Sequence, residues 1–80
     1  MKIIRQIDVY DKFSKELKDE IVIKELDIEV IKGLVDLVDG DPKLYYVYDI
    51  KGNLQRYFEN LGYSFDMDKY EYELTCYQDN

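Results

Sequence analysis

A strict alternation of side chains near the end of the chain constrains the fold more than any other feature. Between residues 70 and 77, one side of the pattern holds Tyr70, Tyr72, Leu74 and Cys76, and the other holds Glu71, Glu73, Thr75 and Tyr77. Because successive side chains of a strand point to opposite faces, this pattern predicts a strand with one mainly apolar and one mainly polar face. Such a strand belongs to an antiparallel sheet that is covered on one side only.

Three further segments have the composition of strands. Ile3–Tyr10 is rich in β-branched residues, and Leu44–Ile50 alternates in the same way as the last strand. Ile21–Ile23 predicts a short strand that pairs with the first, so that residues 11–20 form a loop or a single helical turn. A helix over Lys15–Leu26 is the alternative for this region. The predicted inner faces carry Ile3, Ile7, Val9, Leu44, Tyr46, Tyr48 and Ile50, with Arg5 as a polar exception.

Two segments predict helices. Asp27 is a candidate N-cap, and it is followed at helical spacing by Val30, Ile31, Leu34, Leu37 and Val38. Gly33 lowers the helix propensity by roughly 1 kcal/mol and would allow a close approach to the sheet. Asp39–Pro42 predicts the end of this helix and a turn, with Gly40 at positive φ.

The second predicted helix covers Asn53–Leu61. Its apolar stripe consists of Leu54, Tyr57, Phe58 and Leu61. Gly62 is expected to follow in the left-handed conformation, and Tyr63–Lys69 connects this helix to the last strand. Together the elements predict one α+β domain over residues 1–80, with an antiparallel sheet of about four strands and two helices packed on one face.

The composition argues against most kinds of chemistry. The chain has a formal charge of −7, no histidine and one cysteine, Cys76, which the alternation places in the core. We therefore expect no metal site, no cofactor and no catalytic activity. Asp39 and Asp41, like Asp66 and Asp68, are interpreted as turn and cap carboxylates. The absence of an internal disulfide and of a long apolar run predicts a cytoplasmic protein that does not enter a membrane.

The charge predicts a protein partner. Residues 25–80 contain 13 acidic and 5 basic residues, which attracts a cationic protein and opposes direct binding of nucleic acid. Most of the nine tyrosines fall on predicted inner faces, but some remain on the outer face of the sheet among carboxylates. The predicted partner-binding residues are Asp8, Tyr10, Tyr45, Asp49, Glu71, Glu73 and Tyr77. An ordinary solvated sheet face is the alternative interpretation.

A resemblance extends this prediction. Asp41-Pro42, Tyr45, Tyr48-Asp49-Ile50, Phe65-Asp66 and Tyr70-Glu71-Tyr72 make the chain similar to an uncharacterised family of small bacterial proteins. Small acidic domains of this type resemble immunity proteins, the antitoxins of polymorphic toxin and contact-dependent growth inhibition systems. The resemblance implies a cytoplasmic protein, monomeric when free, that neutralises a cognate toxin by covering its active site or substrate-binding surface.

The toxin implied by this resemblance is a basic nuclease domain, such as an RNase, because an acidic protein can occupy its substrate cleft. Three other functions stay open on the residues alone. The chain could be a regulatory or adaptor domain that binds another protein, a module that associates with itself through a sheet edge, or an enzyme of unknown type.

Overall fold

A computed structural model of the protein describes residues 2–37, 39–41 and 43–79. Val38 and Pro42, which the sequence assigned to the first helix and to the turn after it, lie outside the described residues. The elements are β1 (Lys2–Asp11), β2 (Leu17–Ile23), α1 (Ile28–Lys32), β3 (Tyr48–Asp49), α2 (Gly52–Asn60) and β4 (Tyr70–Asp79). The strands form one antiparallel sheet in the order β2-β1-β4-β3, which confirms the predicted α+β class.

One face of the sheet carries the core. Ile7 lies opposite Leu74, and Val9 lies opposite Tyr72, in an unbroken ten-residue register between β1 and β4. These side chains are buried together with those of the helices, principally Ile31 of α1 and Leu54 and Phe58 of α2. Both helices therefore cover the same face, as predicted. Within the described residues, no helix is long and apolar enough to cross a membrane.

The region after β1 is a β-hairpin, so the alternative of a helix over Lys15–Leu26 is wrong. The Asp11 N–H donates to the Glu16 carbonyl at 2.8 Å, and the Asp11 carboxylate accepts from the N–H groups of Phe13 and Ser14. Hydrogen bonds from these two N–H groups, the strongest influence on this carboxyl, hold the pKa of Asp11 below its ordinary value. The strand begins at Leu17, four residues earlier than predicted.

The first helix is much shorter than its apolar pattern predicts. Asp27 is the N-cap, as expected, and its carboxylate accepts from the Val30 N–H at 3.2 Å. The helix ends after Lys32, because the chain turns at Gly33, the residue of low helix propensity. The expected close approach of Gly33 to the sheet is wrong: a Cβ at this position would meet only the Val30 carbonyl oxygen, at 3.5 Å.

The predicted strand over Leu44–Ile50 is also mostly wrong. Tyr48–Asp49 pairs with β4, and the Ile50 N–H donates to the Tyr72 carbonyl at 2.9 Å. Leu44, by contrast, has a φ of 58°, which no regular strand contains. The cause is the buried Asp41 carboxylate, which accepts from the Tyr45 N–H at 2.7 Å and from the Tyr46 N–H at 3.1 Å. These amides therefore bond to a side chain instead of a neighbouring strand. Tyr46, predicted to point inward, is exposed.

The second helix agrees with its prediction, except at its end. Leu54 and Phe58 are buried, and Tyr57 is partly buried against the edge of the Phe58 ring. Gly62 has a φ of 105°, as expected for the residue that follows the helix, and Gly40 also has the predicted positive φ. Leu61, the last member of the predicted stripe, is exposed instead of packed.

Candidate protein-binding face of the sheet

The face of the sheet opposite the helices, called the open face below, carries a line of four carboxylates. Glu20 lies opposite Asp8, Asp8 lies opposite Glu73, and Glu73 lies opposite Asp49. Each strand thus contributes one acid, and together the four form what we call the carboxylate row. Neighbouring strands are about 4.8 Å apart, so the row crosses the whole sheet over about 14 Å.

The core determines this alignment. Ile7 and Leu74, the neighbours of Asp8 and Glu73 along their strands, pack opposite each other on the covered face. A slip of one residue would turn these apolar side chains towards solvent, so the register is strongly specified. The carboxylates are consequently fixed in line by packing on the other side of the sheet, although like charges on opposed strands are destabilising.

The carboxylate row takes part in no ion pair of the part of the chain that the structure describes. Among the described residues, ion pairs join Lys15 to Glu71, Lys18 to Glu16 and Lys32 to Glu29, and none of them includes a member of the row.

The concentration of negative charge appears in two pKa shifts. Burial raises the pKa of Glu73, and repulsion from Asp49, Asp8 and Glu71 raises it further. Burial, followed by the charges of Asp8, Glu73 and Glu20, likewise raises the pKa of the Tyr10 phenol.

Neutral donors orient half of the row. The buried Gln6 donates from Nε2 to Asp8 Oδ1 at 2.6 Å and to Glu20 Oε2 at 2.7 Å. Thr75 Oγ1 donates to Asp8 Oδ2 at 3.2 Å. These bonds position the carboxylates without neutralising them, so the negative charge remains available to a partner.

Apolar side chains border the row on both sides. On one side Tyr10 lies opposite Leu17, which is 48% exposed. On the other side Val22 is 57% exposed, and beyond it Ile4 lies opposite Tyr77, which is 50% exposed. The open face therefore combines a central line of negative charge with flanking apolar and aromatic surface, a combination suited to a cationic protein.

Six of the seven predicted partner-binding residues lie on the open face, namely Asp8, Tyr10, Asp49, Glu71, Glu73 and Tyr77. Of these six residues, Glu71 forms an ion pair within the chain, in which Lys15 Nζ lies 2.5 Å from its Oε1. The structure thus brings together, on one face, the predicted residues that lie in β1, β3 and β4.

The placement of Tyr45 on this face is wrong. Its ring lies under the guanidinium of Arg5, 5.7 Å from the ring centroid, and its carbonyl accepts from Cys76 Sγ at 3.4 Å. Arg5 and Cys76 are opposed residues on the covered face, so Tyr45 lies on the helix side of the sheet. Cys76 itself is partly buried, not fully buried as predicted. The loop held by Asp41 explains both errors, because residues 44–47 do not continue β3.

Sequence reasoning missed Glu20 and Gln6. The inward alternation of Ile21 and Ile23 was the available signal, because it places Glu20 and Val22 on the opposite face once β2 is extended. The described residues contain no group of acids or thiols arranged to hold a metal ion. Asp66 has the predicted role in a turn, accepting from the Asp68 N–H at 3.3 Å.

The comparisons with known proteins place the chain in a family. Comparison with curated proteins and with solved structures found no match. A family model described as a domain of unknown function (DUF7683) matches residues 4–75, which extend from β1 to β4, and the chain therefore belongs to this family.

Proposed function

We propose that the protein is a cytoplasmic immunity protein that binds and neutralises a cognate toxin domain, a basic nuclease such as an RNase. It acts as a non-catalytic monomer and contacts neither nucleic acid nor a membrane. The observation that carries the proposal is the carboxylate row on the open face, none of whose members forms an ion pair with a described residue. A nuclease presents cationic side chains to the phosphates of its substrate, and a line of carboxylates can bind those side chains instead.

The dimensions of the open face support this role. A standard protein interface takes about 800 Å² from each partner. The chain exposes 5619 Å² in total, so such an interface would cover about a seventh of its surface. Four strands at their usual spacing, with β1 and β4 about 33 Å long, give a flat area on the order of 500 Å². The adjoining hairpin turn and strand ends supply the remainder.

The two components of the face would serve different aspects of binding. The carboxylate row steers a cationic partner and increases the association rate, an effect that salt weakens. Neutralisation of a toxin also requires slow dissociation, which charge alone does not provide. The exposed Leu17, Val22 and Tyr77 can supply buried apolar contacts beside the charges.

Co-expression with the product of the gene upstream of the gene for this chain tests the proposal. The double variant Asp8→Asn with Glu73→Gln removes two charges from the centre of the row. The control variant Asp39→Asn with Glu59→Gln removes two charges from exposed residues outside the sheet. We expect the wild type and the control to protect cells. The row variant should bind at least about tenfold more weakly, with a smaller dependence on salt.

Two results would contradict the proposal. Equal protection by the row variant and the control would exclude the open face as the binding surface. Failure of the wild type to bind any toxin domain, together with binding of another basic protein by the same face, would favour a regulatory or adaptor domain.

A further inference from the structure

The helix side of the molecule has a second surface that the open face does not explain. A shallow groove of about 530 Å³ lies between residues 25–29 and the second half of α2. Its floor consists of Leu26, Ile28, Tyr57 and Leu61. Leu61 is 56% exposed, although its position in the helical stripe predicted burial. The fold therefore leaves a large apolar side chain uncovered beside three others.

The floor of the groove is anchored to the core. Leu26, Ile28 and Tyr57 are partly buried and pack against the buried cluster. The Tyr57 ring meets the edge of the fully buried Phe58, with 5.4 Å between the ring centroids. A partner that fills the groove would thus meet a preformed surface, which lowers the entropic cost of binding.

The rim of the groove is acidic. Glu25, Asp27 and Glu29 line it, and none of the described basic residues does. Lys32 Nζ lies 3.5 Å from Glu29 Oε1, whereas Glu25 and Asp27 form no ion pair with any described residue. A neutral or acidic segment would leave these charges beside a desolvated apolar contact, and a cationic segment would compensate them.

We propose that this groove is a second docking site, which accepts a cationic amphipathic segment of a partner protein. One or two large apolar side chains of that segment cover Tyr57 and Leu61, and flanking lysines or arginines approach Glu25 and Asp27. The volume lies within the range of sites that enclose a small number of side chains or a small ligand. The groove and the open face lie on opposite sides of the sheet, so the two surfaces can be occupied independently.

Titration of the isotopically labelled chain with a designed peptide tests this site by NMR. The probe is a peptide of leucine and lysine with leucines at helical spacing, and the comparison peptide replaces each lysine by glutamate. We expect saturable shift changes at Leu26, Ile28, Tyr57 and Leu61 with the lysine peptide only. Leu61→Glu should weaken this binding by about tenfold or more, because it removes the apolar contact that Leu61 would make with the bound peptide.

The loop before β3 offers a matched control. Val47→Glu introduces the same charge at a residue of nearly the same exposure, 55%, that does not line the groove, and it should leave binding in the groove unchanged. Glu25→Lys is a second variant that should also weaken binding if Leu61→Glu disturbs folding.

Shift changes confined to the carboxylate row, equal binding of the glutamate peptide, or unchanged binding by Leu61→Glu and Glu25→Lys would overturn the proposal. Self-association through the groove, seen as a dimer by light scattering, would overturn it in favour of a second copy of the chain. This experiment uses no toxin, so its outcome is separate from that of the proposed function.

Discussion

Replacing Glu73 by glutamine should stabilise the protein, because it removes the most crowded charge of the carboxylate row and nearly preserves the side-chain shape. Glu73 lies opposite Asp8 on β1 and opposite Asp49 on β3, and Glu71 follows on the same face two residues away. Burial and repulsion from these three acids raise the pKa of Glu73 above its ordinary value. Ionisation of this side chain is therefore less favourable in the folded than in the unfolded chain.

The expected gain follows from the two opposed pairs. Like charges on directly opposed strand positions destabilise a sheet by roughly 0.2–1 kcal/mol each. Solvent screening on the open face reduces their sum, and Lys15 already offsets part of the charge of Glu71. We expect the free energy of unfolding to increase by about 1 kcal/mol at pH 7 and low salt, with a rise in Tm of about 4–8 °C. The sign is informative because most substitutions destabilise.

The dependence on pH and salt identifies the mechanism. Because the folded pKa of Glu73 is raised, its unfavourable contribution is absent where both states are protonated, and it develops as the pH rises through that pKa. The gain from Glu73→Gln, measured by urea unfolding with circular dichroism, should therefore vanish near pH 3. Screening in about 1 M salt should reduce it at pH 7.

The same substitution two residues away is the control. Glu71→Gln removes an exposed ion pair with Lys15, so it should leave the free energy of unfolding unchanged or lower it slightly. Destabilisation by Glu73→Gln at pH 7, or equal stabilisation by both variants, would refute the interpretation of the row as a set of repelling charges.

Three further predictions concern the loop, the row and the groove. Asp41→Asn should lower Tm by about 8–15 °C because this buried carboxylate accepts three hydrogen bonds, whereas Asp66→Asn, in an exposed turn, should change Tm by less than about 3 °C. Burial opposes the ionisation of Asp41, but the hydrogen bonds that it accepts hold its pKa below its ordinary value. Urea unfolding should therefore show that the wild type loses stability as the pH falls through that lowered pKa, and that Asp41→Asn loses less. Gln6→Ala should lower the free energy of unfolding by about 1–2 kcal/mol in the same assay, because two carboxylates lose a donor. Leu61→Glu, at an exposed position, should change it by less than about 0.5 kcal/mol.

The spacing of apolar residues predicted the elements correctly where the packing of one face determines the conformation. β1, β4 and α2 each place their apolar residues on one face or one helical stripe, and their patterns predicted these elements to within one or two residues at each end. The segment before β3 has an equally clear alternation, but Asp41 accepts hydrogen bonds from the N–H groups of Tyr45 and Tyr46 and removes them from pairing. A pattern of apolar residues contains no information about such a bond, since it depends on a side chain several residues away.

The open face illustrates the same limit. The alternation of β1 and β4 predicted that Asp8 and Glu73 share a face, but it could not show that they lie directly opposite each other. Their opposition depends on the register, and the register depends on which apolar residues meet in the core. Glu20 completes the row only because β2 begins earlier than its β-branched residues indicate.

The composition of the carboxylate row is a property of the surface and not a requirement of the fold. Among the described residues, Glu73 is not part of the hydrophobic core, so a lysine in its place would relieve repulsion and leave the core unchanged. A domain of 80 residues has little stability to spare, and an arrangement that lowers it is more readily explained by binding than by folding. On this argument, a basic partner should stabilise the folded protein most strongly when its cations lie beside Asp8 and Glu73, where carboxylates on neighbouring strands lie opposite each other.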